Sequence, residues 1–278
     1  MMKKIISLLL VVCMLAACCS TVFAAELTTQ QKADALYLMG IFKGTDKGYE
    51  LENLTTREQG VTVIVRLLGK EAEANSGKYT CKFVDVKDWA KGNVGFAFDN
   101  GITKGMSDTE FGYGVALTDA MFLTMLLRVL GYTEGEGADF VWDAPYELAK
   151  KVGIIPEANA DAEFTRGDMV EIIYRGLGSN LKNTENTLGA KLVADGVMTQ
   201  AAYDLGQQVA AGTTTLEAAQ AQLAAGSGSG TGSGSIGGGG NQGNFTPPAD
   251  PDPGIGGPVE VPESGTAQED HETPDMKF

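Results

Sequence analysis

Two arginines stand where they could bind an anion. Arg57 and Arg166 each follow a threonine, in "TREQ" and "TRGD", at the start of a segment with helical periodicity. Threonine is a good N-cap, so each arginine would take the first helical position, where a cation opposes the helix dipole at a cost of roughly 0.3–1 kcal/mol. A helix N-terminus presents backbone N–H groups, and a guanidinium adds a two-donor fork for a carboxylate. This placement disfavours helix stability and favours an anionic ligand.

Acid–base and metal chemistry have little support. The single histidine, His271, lies in the C-terminal tail, and Cys81 is the one cysteine beyond the leader. The region with a folded pattern therefore lacks histidine-activated nucleophiles and histidine-containing metal sites. A carboxylate pair remains formally possible as a glycosidase site, but the acids are scattered over helix ends and loops. We expect a protein that is not an enzyme, with no catalytic residue, cofactor or metal, and with Cys81 as a small, partly buried side chain.

The composition is that of an acidic, exported chain. Of 278 residues, 36 are acidic and 21 basic, and the formal net charge of −15 argues against binding to nucleic acid or acidic membranes. Lys3 and Lys4 precede an apolar run too short for a comfortable membrane span, and "VFAAE" offers cleavage after Ala24. "LAAC", ending at Cys18, is the alternative, a lipoprotein signal that leaves a lipidated N-terminus. We favour the ordinary signal, because the folded pattern begins almost directly after Ala25.

A helical pattern occurs three times. Thr56, Thr118 and Thr165 are each followed by apolar or aromatic residues at offsets five, eight, nine and twelve, by arginine at offset ten and by glycine at offset thirteen. The apolar offsets lie on one face of a helix, and a glycine after the last of them is a typical helix end. Each threonine is therefore a predicted helix cap. The periodic arginines, which we expect to bridge neighbouring units, are Arg66, Arg128 and Arg175.

A shorter helical stretch precedes each capped helix. It ends in "GIFKG" at Gly40, "GITKG" at Gly101 and "GIIP" at Gly153. One hairpin of this kind cannot bury its own apolar face, whereas three stacked units can. The prediction is an all-α domain of three helix–loop–helix repeats, at residues 25–78, 79–136 and 137–180, after a signal peptide at residues 1–24.

These motifs resemble the S-layer homology domain of bacterial cell-envelope proteins. "FVDVKDWAKGNVGFAFDNGITKG" is similar to the opening of such a repeat, and "TREQ" and "TRGD" are similar to the family's Thr-Arg-Ala-Glu signature. The resemblance implies three units around a pseudo-threefold axis, with the capped helices bundled centrally. It also implies non-covalent attachment to the wall or surface of a Gram-positive-type bacterium. Grooves between the units would bind an anionic secondary cell-wall polysaccharide, often carrying ketal-linked pyruvate.

The resemblance also implies which residues bind the sugar. The signature arginines, Arg57 and Arg166, would contact the anionic polysaccharide. The second repeat reads "LTDAM", so Asp119 replaces the arginine, and we expect that groove to be disabled. Trp142 is expected to pack rather than to bind. The other candidate polysaccharide-binding residues are Trp89, Lys43 and Lys104.

Other interpretations remain open at this point. Arg57 and Arg166 could instead pair with surface acids such as Glu52 or Asp161, contacts that are common and contribute little. The chain could be a scaffold anchored through a lipid on Cys18, whose repeats bind a protein partner. It could also be a structural S-layer subunit whose helical segment self-associates.

The C-terminal part changes in character. Residues 185–226 predict two or three short helices with too few large apolar residues for an independent core, so they should pack on the third repeat or on another copy. Residues 227–278 are rich in glycine and proline and carry eight acids against Lys277, which predicts disorder. The predicted helix stops and caps are Gly196, Gly212, Thr199 and Thr215.

Overall fold

Helices make up the regular structure of the described chain. The computed structural model describes residues 27–157 and 163–227, so the predicted signal peptide, Asp161 and residues 228–278 of the predicted tail lie outside it. Within those ranges the chain forms ten α-helices and isolated β-bridges but no named strand, in agreement with the all-α prediction. None of these helices has both the length and the apolar character that crossing a membrane requires.

The helices follow the predicted order. The first unit contains α1, α2 and the short α3 with a π-helical turn after it, the second contains α4 and α5, and the third contains α6 and α7. The helices are α1 (Thr29–Leu38), α2 (Arg57–Leu67), α3 (Glu71–Glu73), the π-helical turn (Ala74–Lys78), α4 (Asp88–Asp99), α5 (Asp119–Val129), α6 (Tyr146–Lys151), α7 (Arg166–Leu177), α8 (Leu188–Ala194), α9 (Gln200–Ala210) and α10 (Leu216–Ser227).

Threonine stands at the N-cap of α2, α5 and α7. The Oγ1 of Thr118 accepts a backbone N–H three residues on at 3.3 Å. Thr165 accepts the N–H of Asp168 at 3.2 Å and returns its own N–H to the Asp168 carboxylate at 2.9 Å, which is a reciprocal capping pair. At the start of α2 the Oε1 of Gln59 accepts the Thr56 N–H at 3.2 Å, while the Thr56 hydroxyl is buried without a hydrogen-bond partner among the described residues. The cap of α2 therefore depends on Gln59.

Glycine ends the first helix of each unit. Gly40, Gly101 and Gly153 follow α1, α4 and α6 with φ of 77°, 68° and 83°, a left-handed conformation that a side chain disfavours. Gly178, the predicted glycine end of α7, does not adopt the left-handed conformation. Its φ is −85°, and the chain leaves the helix through a turn in which the Ser179 N–H donates to the Gly176 carbonyl at 3.1 Å.

The three units share one hydrophobic core. The first helix of each unit packs on the capped helix of another: α4 on α2, α6 on α5 and α1 on α7. The capped helices also contact each other, α5 lying against both α2 and α7. Residues that the periodicity assigned to the inner face, such as Ile64, Leu126 and Ile173, are completely buried. No single hairpin buries its apolar face by itself.

The C-terminal helices close over the first and third units. We expected them on the third repeat or on another copy. Helix α8 does pack on α7, but α9 packs mainly on α1, and α10 packs on both α1 and α9. The contact is close at Gly206, where an added Cβ would lie 2.4 Å from the end of the Met39 side chain. The difference arises because the end of α1 and the residue after it, Leu38 and Met39, present a second apolar surface that the repeats leave uncovered.

A largely buried ion pair joins the first unit to the third. The ammonium of Lys32 on α1, 7% exposed, donates to both carboxylate oxygens of Glu171 on α7 at 2.7 and 2.6 Å. The Thr29 hydroxyl donates to the same carboxylate at 2.9 Å. These bonds fix the register of α1 on α7.

Lys32→Met should destabilise the protein by about 1–3 kcal/mol, because the Glu171 carboxylate loses its main donor in a mostly dry site. The change is measured as the free energy of unfolding in urea. Lys91→Met is the matched control, since Lys91 pairs with the exposed Asp88, and we expect no measurable change there. Equal stability of Lys32→Met and the unmodified protein would contradict a role for this pair in closing the domain.

Candidate functional site

Arg57 lies at the junction between the first and second units. Its Nε donates to the Phe111 carbonyl at 3.2 Å and its Nη2 donates to the Lys104 carbonyl at 3.1 Å. The guanidinium carbon is 4.8 Å from the centre of the Phe111 ring, and Nη1 lies 3.3 Å from the Met121 sulfur. Arg57 forms no ion pair with Glu52 within the described ranges. Burial lowers the pKa of Arg57, although an arginine in a protein stays charged.

The backbone N–H groups of the two arginines are not free, contrary to our expectation. The Arg57 N–H donates to the Val115 carbonyl at 3.0 Å, and the Arg166 N–H donates to the Asn53 carbonyl at 2.9 Å. The segments that lead into the capped helices run against each other across the units, and their carbonyls take these donors. An anion at either position could not bind through the N–H of the arginine itself.

A cavity of about 390 Å³ opens beside Arg57. Its charged lining residues are Arg57, Lys104, Arg128 and Glu134. Its apolar wall includes Met106, Met121, Met125, Phe111 and Trp142. The cavity thus combines cations with apolar and aromatic surface, a combination that suits a sugar carrying a carboxylate.

Asp85 shapes the loop that Arg57 binds. Its carboxylate accepts the consecutive N–H groups of Phe111, Gly112 and Tyr113 at 2.8, 2.7 and 2.9 Å. This turns the Phe111 carbonyl toward Arg57. Burial alone would raise the pKa of Asp85, but the three backbone N–H bonds outweigh it and hold the pKa below its ordinary value.

Arg166 makes the equivalent contacts between the third and first units. Its Nε donates to the Tyr49 carbonyl at 2.9 Å, its Nη2 donates to the Lys43 carbonyl at 3.2 Å, and the guanidinium carbon lies 5.1 Å from the Phe42 ring centre. Arg166 is buried, 6% exposed, whereas Arg57 is half-buried. At each junction the arginine Nη2 therefore donates to the carbonyl of a turn lysine, Lys104 for Arg57 and Lys43 for Arg166.

The junction between the second and third units carries the opposite charge. Asp119 Oδ1 accepts the Ala120 N–H at 2.6 Å and the Tyr146 hydroxyl at 3.0 Å. Pro156 stands where the other units have the turn lysine. A smaller cavity of about 150 Å³ lies here. Its ionisable lining residues are Asp119, Glu157, Glu163, Asp168, Glu171 and Arg175.

The periodic arginines pair inside their own units, which corrects the expectation that they bridge units. Arg66 donates to Glu71 through Nε at 3.0 Å and Nη2 at 2.6 Å. Arg128 donates to Glu134 and, through Nη1, to the Ile102 carbonyl at 2.7 Å. The reason is local, because in both units an acid follows a few residues after the helix ends. In the third unit, Arg175 lies 3.9 Å from Glu171 on its own helix.

Of the two tryptophans, Trp142 reaches the cavity. It is 58% exposed at the cavity wall, and its carbonyl accepts the Thr124 hydroxyl at 2.9 Å. Trp89 does not line this cavity and donates its Nε1–H to the Tyr113 hydroxyl at 3.0 Å. In the sequence, the shared "FV" of "FVDV" and "FVWD" aligns Trp142 with Asp85, which indicates a loop position but not that Trp142 reaches the cavity.

The candidate side chains fall into two groups. The structure brings Arg57 and Lys104 together at the cavity, while Arg166 and Lys43 meet at the separate junction. Cys81 is a free, partly buried thiol, and burial raises its pKa, in line with the expectation from the sequence. No group of three or more metal-ligating side chains is found in the described part of the chain.

Asp85→Asn should weaken the dependence of stability on acid pH. A lowered pKa in the folded state means that ionised Asp85 stabilises the fold above its ordinary pKa of 3.8 and that this contribution is lost as the pH falls. The wild-type urea midpoint should therefore drop between about pH 5 and pH 3, and the variant should start lower at pH 7 and drop less. The exposed Asp108→Asn is the charge-matched control. Parallel pH curves for wild type and Asp85→Asn would contradict this assignment.

The chain is similar to curated bacterial cell-surface proteins, and no protein-family model matches it. It is 30% identical over 197 residues to the middle cell wall protein of Brevibacillus brevis, covering 65% of this chain and 18% of that protein. It is 32% identical over 143 residues to the surface layer protein of Brevibacillus choshinensis (47% and 13%). It is 31% identical over 149 residues to the cell surface protein of Thermoanaerobacter kivui (51% and 19%). The chain spans less than one fifth of the length of each of these relatives.

Proposed function

We propose that this chain is a cell-surface protein that attaches non-covalently to the bacterial cell wall by binding an anionic secondary wall polysaccharide. The names of three relatives refer to the cell wall, the surface layer and the cell surface, which supports the location. The residues that carry the resemblance to S-layer homology repeats support the mode of attachment. The proposed role is binding, without enzymatic activity.

The proposed architecture is three S-layer homology repeats around a pseudo-threefold axis. The packing of α4 on α2, α6 on α5 and α1 on α7 supports it, because each unit then meets the next in the same way. The Arg57 and Arg166 contacts add support, since both arginines donate to the same two carbonyl positions of a neighbouring unit.

The Arg57 cavity is the proposed polysaccharide site, and one observation carries this proposal. The Arg57 guanidinium has five N–H donors. Within the described chain, three of them point at the Phe111 carbonyl, the Met121 sulfur and the Lys104 carbonyl, which leaves two for a ligand at the cavity. A carboxylate such as ketal-linked pyruvate would bind Arg57 and Lys104, and the sugar ring would stack on Trp142. We assign Trp142 the stacking role that the sequence suggested for Trp89.

Arg166 has a different balance of roles in this proposal. Its guanidinium is almost fully buried and holds two carbonyls of the first unit. We propose that Arg166 and Lys43 chiefly fasten the third unit to the first, and that Arg57 contributes most of the binding. At the Asp119 junction the acids would repel an anionic sugar.

Arg57→Ala should lower the affinity for purified walls at least tenfold, since it removes a charge-assisted pair at the ligand. The affinity is measured by co-sedimentation of residues 25–278, the chain without its predicted signal peptide. Walls stripped of their secondary polysaccharide serve as the substrate control and should not bind the unmodified protein. Arg166→Ala should lower the free energy of unfolding more than Arg57→Ala does, because its two carbonyl acceptors are more deeply buried. Equal sedimentation with intact and stripped walls would overturn the proposed function and favour a protein partner or lipid anchor.

Trp142→Ala should weaken wall binding roughly three- to tenfold through loss of ring stacking, with little change in stability because the ring is mostly exposed. Trp89→Ala is the matched control for the loss of a tryptophan. Trp89→Ala should change the affinity for intact walls less than Trp142→Ala does. Weaker binding by Trp89→Ala than by Trp142→Ala would return the stacking role to Trp89.

A further inference from the structure

A carboxylate of the protein already lies among the cations of the Arg57 cavity. Glu134, which follows α5, accepts hydrogen bonds from the ammonium of Lys104 and from Nη2 of Arg128. All three side chains line the cavity. Burial opposes the ionised form of Glu134, but the bonds from Lys104 and Arg128 outweigh it and keep its pKa below the ordinary value. The carboxylate is therefore charged at neutral pH.

The first unit repeats this arrangement away from the cavity. Glu71 accepts from Arg66 at 3.0 and 2.6 Å and from the ammonium of Lys43 at 3.1 Å. The third unit has no lysine at the turn position and forms no such triad within its described residues. An acid thus accompanies the turn lysine in both units that have one. Of the two acids, Glu134 is the one that lines the cavity.

We propose that Glu134 is a built-in competitor for the anionic ligand of the Arg57 cavity, occupying Lys104 and Arg128 until a ligand carboxylate displaces it. The inference rests on the proposed polysaccharide site and names a residue that limits the affinity of this site for its ligand.

Glu134 lowers the affinity of the cavity for a ligand carboxylate in two ways. It repels a second carboxylate in the same cavity, and it holds the Lys104 ammonium, which is otherwise mostly exposed and able to turn toward a ligand.

The competitor also has a role before the ligand binds. Arg128 is 13% exposed, and a cation left without an acid at that depth would be destabilising. Glu134 satisfies it in the free protein. At Lys104 and Arg128, ligand binding then exchanges one carboxylate for another, so these two cations contribute the difference between the two carboxylates rather than the full strength of a new ion pair.

The experiment uses residues 25–278, the chain without its predicted signal peptide, with Trp89→Phe, so that Trp142 is the remaining tryptophan and reports on the cavity. Its fluorescence is titrated with galacturonate oligomers, sugars that each carry a carboxylate, with and without Glu134→Gln. The glutamine keeps the size and an accepting oxygen but removes the charge. We expect the dissociation constant to fall three- to tenfold in Glu134→Gln, with a smaller gain at high salt.

Two further variants separate competition from a structural effect. Glu134→Asp keeps the charge and should give no gain. Glu71→Gln breaks the equivalent triad outside the cavity and should leave the Trp142 titration unchanged. Circular dichroism checks that each variant is folded.

Any other result would contradict the inference. Binding by the Trp89→Phe protein without a gain, or with a loss, in Glu134→Gln would overturn it and leave the proposed polysaccharide site intact, with Glu134 as a residue that positions the cations. A gain of the same size in Glu134→Asp would also overturn it. No saturable response in any variant would overturn it together with the proposed carboxylate site.

Discussion

The folded region depends on a contact made twice, in which an arginine at the first position of a capped helix donates to two backbone carbonyls of a neighbouring unit. Arg57 does this between the first and second units, and Arg166 between the third and first. A cation at that position costs roughly 0.3–1 kcal/mol against the helix dipole. Each hydrogen bond from a charged donor contributes about 1.5–3 kcal/mol, so the contact between units outweighs the cost to the helix.

The second junction shows that two units can also meet without a cation at this position. Asp119 begins α5 there, accepts the next backbone N–H and the Tyr146 hydroxyl, and helix α6 still packs on α5. An acid is the better residue for the helix dipole, so the two arginine junctions are not explained by local helix stability. Their common property is that a cation remains next to backbone carbonyls and aromatic rings. The two junctions differ in burial, since Arg57 is half-buried beside a cavity and Arg166 is 6% exposed.

Features decided within a few residues of chain could be predicted from the sequence. The threonine caps, the arginine at the first helical position, the glycine ends of α1, α4 and α6 and the buried face of Ile64 all follow from local geometry and period. Features decided by distant segments could not. The Val115 carbonyl that takes the Arg57 N–H, the packing of α9 on α1 and the place of Trp142 at the cavity depend on how the units meet. The candidate site was therefore predictable in its arginine and turn lysine, but not in the groups that surround them.

Under the proposed function, the electrostatics of the site suit a polymer better than a single small anion. The chain carries a net charge of −15, and each cation at the Arg57 cavity already has a partner in the protein, a carbonyl for Arg57 and the Glu134 carboxylate for Lys104 and Arg128. A ligand carboxylate therefore replaces existing bonds at Lys104 and Arg128 and gains only the difference there, while the unused donors of Arg57 add new bonds. A wall polysaccharide repeats its anionic group many times, so release from one group is followed by rebinding to a neighbour at high effective concentration. Under the proposed function, weak single contacts on a repeating ligand give attachment that is lasting on the wall and still reversible.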